Sequence, residues 1–306
     1  MHYHQPVMLR ECLEGLQLLP QALDPNGIYV DLTFGGGGHS KAILEQLGPG
    51  GRLFGFDQDK DAQEQAAQIN DPRFSFVAAN FRHLRRYLKL YGVRAVDGIL
   101  ADLGISSHQI DEPERGFSTR FDADLDMRMN RSSELTASEI VNTYPERELH
   151  RILGMYGEIK NAKSLAAALV ARRIGGPIHT VNELKEVLNR FAPRGKEFKY
   201  QAQVFQALRI VVNDELTALE EMLQQAADVL KPGGRLVVMS YHSLEDRPVK
   251  HFMAKGKFSG EAEKDLYGNL QRPLEPVTRK PVEASADEIT QNNRARSARL
   301  RIAEKL

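Results

Sequence analysis

Cysteine, tryptophan and long apolar runs are scarce or absent in this 306-residue chain. Its one cysteine, Cys12, excludes an internal disulfide and a zinc cluster built on cysteines. No segment approaches the roughly 20 apolar residues that span a membrane. The first residues have neither the basic start nor the apolar run of a signal peptide. We therefore expect a globular protein of the cytoplasm, with no membrane partner.

A surplus of charge of either sign is also absent, since 41 lysines and arginines balance 41 aspartates and glutamates. This balance argues against a nonspecific coat on nucleic acid, which is usually strongly basic. It allows local basic patches, although such a cluster is commonly just a solvated surface. The basic clusters are residues 82–94, 190–199, 247–257 and 294–301. The sequence shows no cluster with metal-ligand spacing, so we expect no bound metal.

Strand and helix patterns alternate over the first hundred residues, which is typical of a parallel sheet with helical crossovers. The alternation resumes after about residue 200, where a helix over 216–230 ends in the turn KPGG and a strand follows. The last segment alternates apolar and polar residues, as an antiparallel strand does. The predicted strands are 28–32, 52–57, 74–78, 96–102, 235–240 and 297–304.

The pattern differs between residues 111 and 199. A charged, irregular segment at 111–131 predicts a loop, and the rest shows only helical periodicity. Two helix starts match the capping box, Thr136 with Glu139 and Thr180 with Glu183. We predict an α/β domain formed by residues 1–110 and 200–306, interrupted by an all-helical domain at 111–199.

The strongest local signal is the segment VDLTFGGGGHS at residues 30–40. Four glycines between a strand and a helix let the backbone pass close to a ligand, and the helix start offers unpaired N–H donors. The spacing fits the dinucleotide fingerprint only in part, because Ser40 stands where a third glycine is required. No phosphate-binding lysine follows the glycines, which argues against an ATPase.

Two acidic residues end predicted strands, at the edge where such sheets bind ligands. Asp57 lies 20 residues after Gly37, which is the spacing at which an acidic residue binds ribose hydroxyls in such folds. Its alternative role is to cap the next helix. Asp102 precedes small and polar residues that suit the floor of a pocket; its alternative role is to cap a turn. Together with the glycine loop, these carboxylates predict a cofactor that contains a ribose.

Read together, these segments resemble the bacterial ribosomal RNA small subunit methyltransferase H family, the 16S rRNA (cytosine(1402)-N(4))-methyltransferases. The resemblance runs almost end to end and rests on several independent motifs in the same order. The turn LKPGGRL at 230–236 also resembles one that is common in methyltransferases with this type of sheet, and Tyr241 departs mildly from the phenylalanine that the family often has. The motifs are HQPVM (4–8), the glycine loop through Ser40, DLGISSHQ (102–109), ERGFS (114–118), LDMRM (125–129), SYHSLEDR (240–247) and RARSARLR (294–301).

The resemblance implies a Rossmann-like class I S-adenosylmethionine methyltransferase sheet with an inserted helical domain. It implies S-adenosylmethionine as the methyl donor and a cytidine of 16S ribosomal RNA, in the decoding centre of the small ribosomal subunit, as the acceptor. It gives no oligomeric state. Carried over motif by motif, the implied cofactor contacts are Gly37, Gly38, His39, Asp57, Phe81, Asp102 and Gln109.

Two roles are open for Asp102. The exocyclic amine of cytosine is a poor nucleophile, so the enzyme must hold it and accept hydrogen bonds from it as it reacts. Asp102 is the candidate for this catalytic role, and binding the cofactor alone is the alternative. Many base-amine methyltransferases follow such a residue with two prolines and an aromatic, whereas this chain continues Leu103-Gly104. Methylation at ring carbon 5 would need a cysteine nucleophile, and Cys12 lies outside the candidate sites.

The target base must be unstacked to enter the pocket, so we expect residues that line an RNA entrance. Their alternative role is in salt bridges that pin the insertion to the sheet. The helical insertion is expected to recognise the shape of the RNA. The candidates for the entrance are Asp126, Arg128, His242, Ser243 and Arg247.

Three other functions compete with RNA methylation. A nicotinamide dehydrogenase is disfavoured by the glycine spacing and by the lack of an evident catalytic pair. A ribosome-assembly factor without turnover is disfavoured by the intact glycine loop with Asp57. A methyltransferase that acts on protein would not need the basic run at 294–301.

Overall fold

The computed structural model describes residues 6–306, which form two compact units. The first unit consists of the chain up to Gly104 together with Leu216–Leu306, and the second is Ile105–Glu215. His4 and Gln5 of the first motif lie outside the described residues. Within residues 6–306, no helix combines the length and the apolar character needed to cross a membrane.

An eight-stranded sheet organises the first unit. Its order is β3-β2-β1-β4-β5-β8-β6, with β7 also paired to β8. The first five strands run parallel, and β8 runs antiparallel to β5. The strands are β1 (Ile28–Asp31), β2 (Arg52–Asp57), β3 (Phe74–Ala78), β4 (Val96–Asp102), β5 (Leu230–Ser240), β6 (Leu274–Pro276), β7 (Val282–Glu283) and β8 (Arg299–Lys305).

The helices of both units are short to medium in length. A 3-10 turn, Phe81–His83, directly precedes α4. The helices are α1 (Leu9–Gly15), α2 (Gly38–Gln46), α3 (Lys60–Ala66), α4 (Leu84–Leu90), α5 (Ser107–Asp111), α6 (Ala137–Thr143), α7 (Glu146–Met155), α8 (Ala162–Ile174), α9 (Val181–Phe191), α10 (Glu197–Val212), α11 (Glu215–Val229), α12 (Ser243–Lys255) and α13 (Ala286–Gln291).

Successive strand residues point to opposite sides of the sheet, so the apolar strands have side chains to bury on both faces, and helices cover both. Phe54 and Ile99 belong to a core that includes α4, α11 and α12. Their neighbours Leu53 and Leu100 belong to a second core with α1 and α2. Each such fully buried side chain stabilises the fold by about 1.5–3 kcal/mol. The strand directions confirm the predicted parallel strands and the predicted antiparallel terminal strand.

The start of β5 differs from the prediction. The strand begins at Leu230, which pairs with Val96, and the register then shifts so that Arg235 pairs with Gly98. The predicted turn lies inside this irregularity, and Gly233 has a φ of +79°, which favours glycine. The strand prediction over 235–240 thus found the regular part of β5.

The second unit has its own core, built from helices α6 to α10. Both predicted capping boxes are present, at the starts of α6 and α9. The spacing of Leu184, Val187, Leu188 and Phe191 predicts one apolar face on α9; the first three are buried and Phe191 is half-buried. Helix α10 buries Val204 and Phe205 in the same core, so the compact unit continues beyond residue 199.

Candidate cofactor and catalytic site

The glycine loop after β1 is tied to the end of β2 by Asp57. The Gly35 N–H donates to Oδ2 of Asp57 at 2.8 Å, and the Asp59 N–H donates to Oδ1 at 2.9 Å. The residue that caps α3 is Asp59, whose side chain accepts from the Asp61 N–H. The alternative that Asp57 caps this helix is therefore wrong.

The Asp57 carboxylate keeps spare acceptor capacity. Each of its oxygens accepts one backbone hydrogen bond, and a carboxylate oxygen has room for two. Burial raises the pKa of Asp57 to about 6, while the two backbone hydrogen bonds oppose this rise. Two hydroxyl donors, such as those of a ribose, would meet the remaining acceptors and favour the ionised form.

Three glycines of the loop, Gly36 to Gly38, differ in what a side chain there would meet. Gly37 has a φ of +76°, and a Cβ there would lie 2.6 Å from Cζ of Phe34. A Cβ on Gly38 would lie 2.4 Å from Cγ of Pro6. Only Gly36 among these three would meet nothing within 4 Å. The packing of the loop itself therefore requires Gly37 and Gly38, and the open space lies over Gly36; contacts of Gly37 and Gly38 with the cofactor stay predictions.

A buried carboxylate below the loop was missed by the sequence analysis. Asp31, at the end of β1, accepts from the Ser40 hydroxyl at 2.7 Å and from the Thr33 N–H at 3.1 Å. Burial raises its pKa, and these hydrogen bonds oppose the rise. The serine that stands in place of the third fingerprint glycine is thus a hydrogen-bond donor to Asp31. The pairing of an aspartate at a strand end with a serine nine residues later is the signal that could have revealed it.

Asp102 lies at the end of β4, beside β1. Its N–H donates to Oγ1 of Thr33 at 2.7 Å, and its Oδ1 accepts from the Tyr241 hydroxyl at 2.8 Å. The carboxylate accepts from a side chain that follows β5, and among the described residues no backbone N–H donates to it, so it does not cap a turn. Burial raises the pKa of Asp102 to about 6, although the charge of His39 and the bond from Tyr241 lower it.

His39 faces the other oxygen of this carboxylate. Its Nδ1 lies 3.9 Å from Oδ2 of Asp102, and its Nε2 lies 3.1 Å from the carbonyl oxygen of Val7. Since a carbonyl oxygen only accepts, Nε2 carries a proton. The ring is thus fixed by the chain that precedes α1, with Nδ1 turned toward Asp102.

The last two predicted cofactor residues lie in different units. Phe81 directly follows the cap residue Asn80 after β3 and packs, half-buried, against the core of the first unit. Gln109 lies on α5 in the second unit, where its side chain accepts from the Ser106 N–H at 3.0 Å and completes a capping box. This third capping box was not predicted. A cofactor contact stays a prediction for both residues.

The predicted RNA residues fall into two groups. Asp126 and Arg128 pair with each other through two bonds of 2.8 Å, and Nη1 of Arg128 also donates to two backbone carbonyls. His242 lies 3.1 Å from Oε1 of Glu245 and is half-buried. Ser243 and Arg247, on the first turns of α12, are exposed. Their role toward RNA stays a prediction.

The site thus gathers three carboxylates at one edge of the sheet. Asp31, Asp57 and Asp102 end β1, β2 and β4, which are neighbours in the sheet. A parallel sheet of this order, with an antiparallel strand beside β5 and a glycine loop after β1, defines a Rossmann-like class I methyltransferase fold.

Comparison with known proteins identifies the family. The model of the MraW methylase family matches residues 1–306, and the chain belongs to this family. The ribosomal RNA small subunit methyltransferase H of Cytophaga hutchinsonii is 59% identical over 303 residues, covering 99% of each chain. The protein of the same name from Flavobacterium johnsoniae is 53% identical over 306 residues, covering 100% of this chain and 99% of its own.

This membership confirms the resemblance drawn from the motifs. The chain is a methyltransferase enzyme that uses S-adenosylmethionine. The carboxylates at the strand ends and the open space over Gly36 fit this cofactor, because its ribose supplies hydroxyl donors and its methionine part an ammonium donor.

Proposed function

We propose that this enzyme methylates the exocyclic N4 amine of cytidine 1402 in 16S ribosomal RNA. The relatives named ribosomal RNA small subunit methyltransferase H, at 52–59% identity over nearly the whole chain, support this substrate. The observation that carries the chemistry is the Asp102 carboxylate, which is held by Tyr241 through Oδ1. Among the described residues, none donates a hydrogen bond to its Oδ2, and Nδ1 of His39 lies 3.9 Å from that oxygen. That oxygen is placed to accept a hydrogen bond.

Asp57 and Asp102 have different roles in this proposal. S-Adenosylmethionine supplies an electrophilic methyl group when it is bound. Asp57 accepts hydrogen bonds from the ribose hydroxyls through both of its oxygens. Oδ2 of Asp102 accepts a hydrogen bond either from the cytosine amine, as the amine becomes a nucleophile, or from the ammonium group of the cofactor. A pKa of about 6 leaves both carboxylates mostly ionised at neutral pH, which is the state that accepts.

The substrate partner is the small ribosomal subunit, so we place the protein in the cytoplasm. The helical unit is proposed to recognise the shape of the RNA, and the exposed Arg247 to contact its phosphates. Arg128 acts differently, because its guanidinium is already engaged by Asp126 and by backbone carbonyls. It shapes the loop that meets the RNA.

Methyl transfer to small ribosomal subunits that lack this modification tests the proposal. With labelled S-adenosylmethionine, we expect labelled N4-methylcytidine after nucleoside digestion, and we expect Asp57→Ala to abolish it. Asp228→Ala is the matched control, because it removes an exposed carboxylate that pairs with Arg85 at the surface. Label in ribosomal protein, or no transfer despite tight cofactor binding, would refute the proposed substrate or turnover.

A further inference from the structure

Tyr241 is bonded in two directions at the end of β5. Its hydroxyl donates to Oδ1 of Asp102 at 2.8 Å, and its N–H donates to Oε2 of Glu245 at 2.9 Å. Glu245 lies on the first turn of α12 and is 3% exposed. The backbone of Tyr241 is therefore fixed to α12 while its side chain reaches the end of β4. A partly buried ion pair between Asp246 of α12 and Arg301 of β8 holds this helix to the sheet.

We propose that Tyr241 is a positioning residue that orients the Asp102 carboxylate and keeps it in its ionised, accepting form. By occupying Oδ1, the hydroxyl selects Oδ2 as the oxygen presented to the cofactor or substrate. A hydroxyl donor also stabilises a carboxylate more than a carboxylic acid, because a charged acceptor makes the stronger hydrogen bond.

The surroundings of Asp102 show why such a donor matters. The carboxylates of Asp31, on β1, and Glu245, on α12, oppose its ionisation, and the buried Cys12 of α1 lies close enough to be affected by its charge. On the favourable side are His39, on α2, and the Tyr241 hydroxyl. Burial outweighs both, since it raises the pKa of Asp102 to about 6. Removal of the hydroxyl would raise this pKa further.

Tyr241→Phe tests the proposal with the loss of a single oxygen atom. The loss of one hydrogen bond to the charged carboxylate favours its protonation. The acid limb, the pH below which binding or methyl transfer that depends on ionised Asp102 is lost, should therefore rise by about one pH unit. We expect cofactor binding or single-turnover methyl transfer to fall roughly threefold at pH 6.5 and to be nearly unchanged at pH 8.5. A shift in the dissociation constant would assign Asp102 to the cofactor, and a shift in the rate at saturating cofactor would assign it to the amine.

Two comparisons make the test decisive. Tyr29→Phe is the matched control, because Tyr29 is buried in the same unit and its hydroxyl donates to the carbonyl oxygen of Asp24; it should leave the pH profile unchanged. In an Asp102→Asn background, Tyr241→Phe should cause no further pH-dependent loss. A profile identical to that of the wild type, or an equal loss at every pH, would overturn the proposal.

The binding measurement needs no RNA, and only the turnover readout rests on the proposed function. A pH shift in cofactor binding without RNA methylation would therefore leave the role of Tyr241 intact and refute the substrate. If Tyr241→Phe does not fold, the pH profile of Asp102→Asn decides instead. That variant must lose the Asp102 acid limb, and an unchanged limb would overturn the proposal.

Discussion

Acid should weaken cofactor binding steeply, because two carboxylates of the site have pKa values of about 6. Where Asp102 takes the second of its two proposed roles, as acceptor for the cofactor's ammonium group, both carboxylates must be ionised to accept hydrogen bonds from the cofactor, so protons compete with it. Where Asp102 serves the cytosine amine instead, only the proton on Asp57 competes. A single such group raises the dissociation constant roughly elevenfold between pH 8 and pH 5, and two independent groups raise it roughly 120-fold. The sign follows from the raised pKa values: affinity is complete above about pH 7 and is lost as the pH falls through 6.

Asp57→Asn separates the two contributions. An amide offers one acceptor oxygen where the carboxylate offers two, so one of the proposed ribose hydroxyls loses its acceptor. That loss costs about 1–3 kcal/mol, which corresponds to roughly five- to 150-fold weaker binding at pH 8. Only the Asp102 proton should then compete, so the remaining pH effect between pH 8 and pH 5 should be roughly elevenfold.

Equilibrium dialysis with labelled S-adenosylmethionine at constant ionic strength measures both effects. Below pH 6, the logarithm of the wild-type dissociation constant should change by nearly two per pH unit, and that of Asp57→Asn by nearly one. Asp228→Asn, which removes an exposed charge, should behave as the wild type does. Equal slopes for wild type and Asp57→Asn would show that Asp57 does not bind the cofactor as an ionised group.

Three further substitutions test other parts of the structure. Gly37→Ala places a Cβ 2.6 Å from Cζ of Phe34 and should weaken cofactor binding, measured by dialysis, at least tenfold. Gly92→Ala, at a similar φ of +72° but with nothing within 4 Å of the added Cβ, should not weaken it. Asp246→Asn weakens the partly buried ion pair with Arg301 and should lower the free energy of unfolding by about 1–3 kcal/mol in a urea titration, and a loss below about 0.5 kcal/mol would contradict this. Arg128→Ala should weaken binding to the small subunit in filter assays and spare cofactor binding; an equal loss of both would show a general structural defect.

The strands were predictable because their residues alternate or are continuously apolar. The same holds for α9, whose buried face repeats with the helical period. Helix α10 was harder to place because it buries residues on several sides, including Phe205, Ala207 and Ile210. Such a helix lacks the single apolar stripe that reveals most surface helices. Strands β6 and β7 are too short, at three and two residues, to show a period.

The site could be predicted in its residue types but not in its connections. The glycine loop, Asp57 and Asp102 are adjacent to recognisable strands, so the rule that ligands bind at the carboxyl edge located them. The bond between Tyr241 and Asp102 joins residues 139 positions apart, and only the pairing of β4 with β5 brings them together. The support of Asp31 by Ser40 was local but hidden, because a serine in a glycine-rich loop has many ordinary explanations.

The order of the chain determines when the enzyme can become active during its own synthesis. The helical unit is one continuous segment, Ile105–Glu215, whereas the sheet needs strands made both before and after it. At about 5–20 residues per second, the ribosome needs on the order of ten seconds to make the helical unit after β4 has emerged. Throughout that interval the nascent β4 has an unpaired edge, which is open to wrong partners. A pause in translation within the helical segment would prolong this exposure. Strand β8, which pairs with β5, must also be made before the sheet is complete.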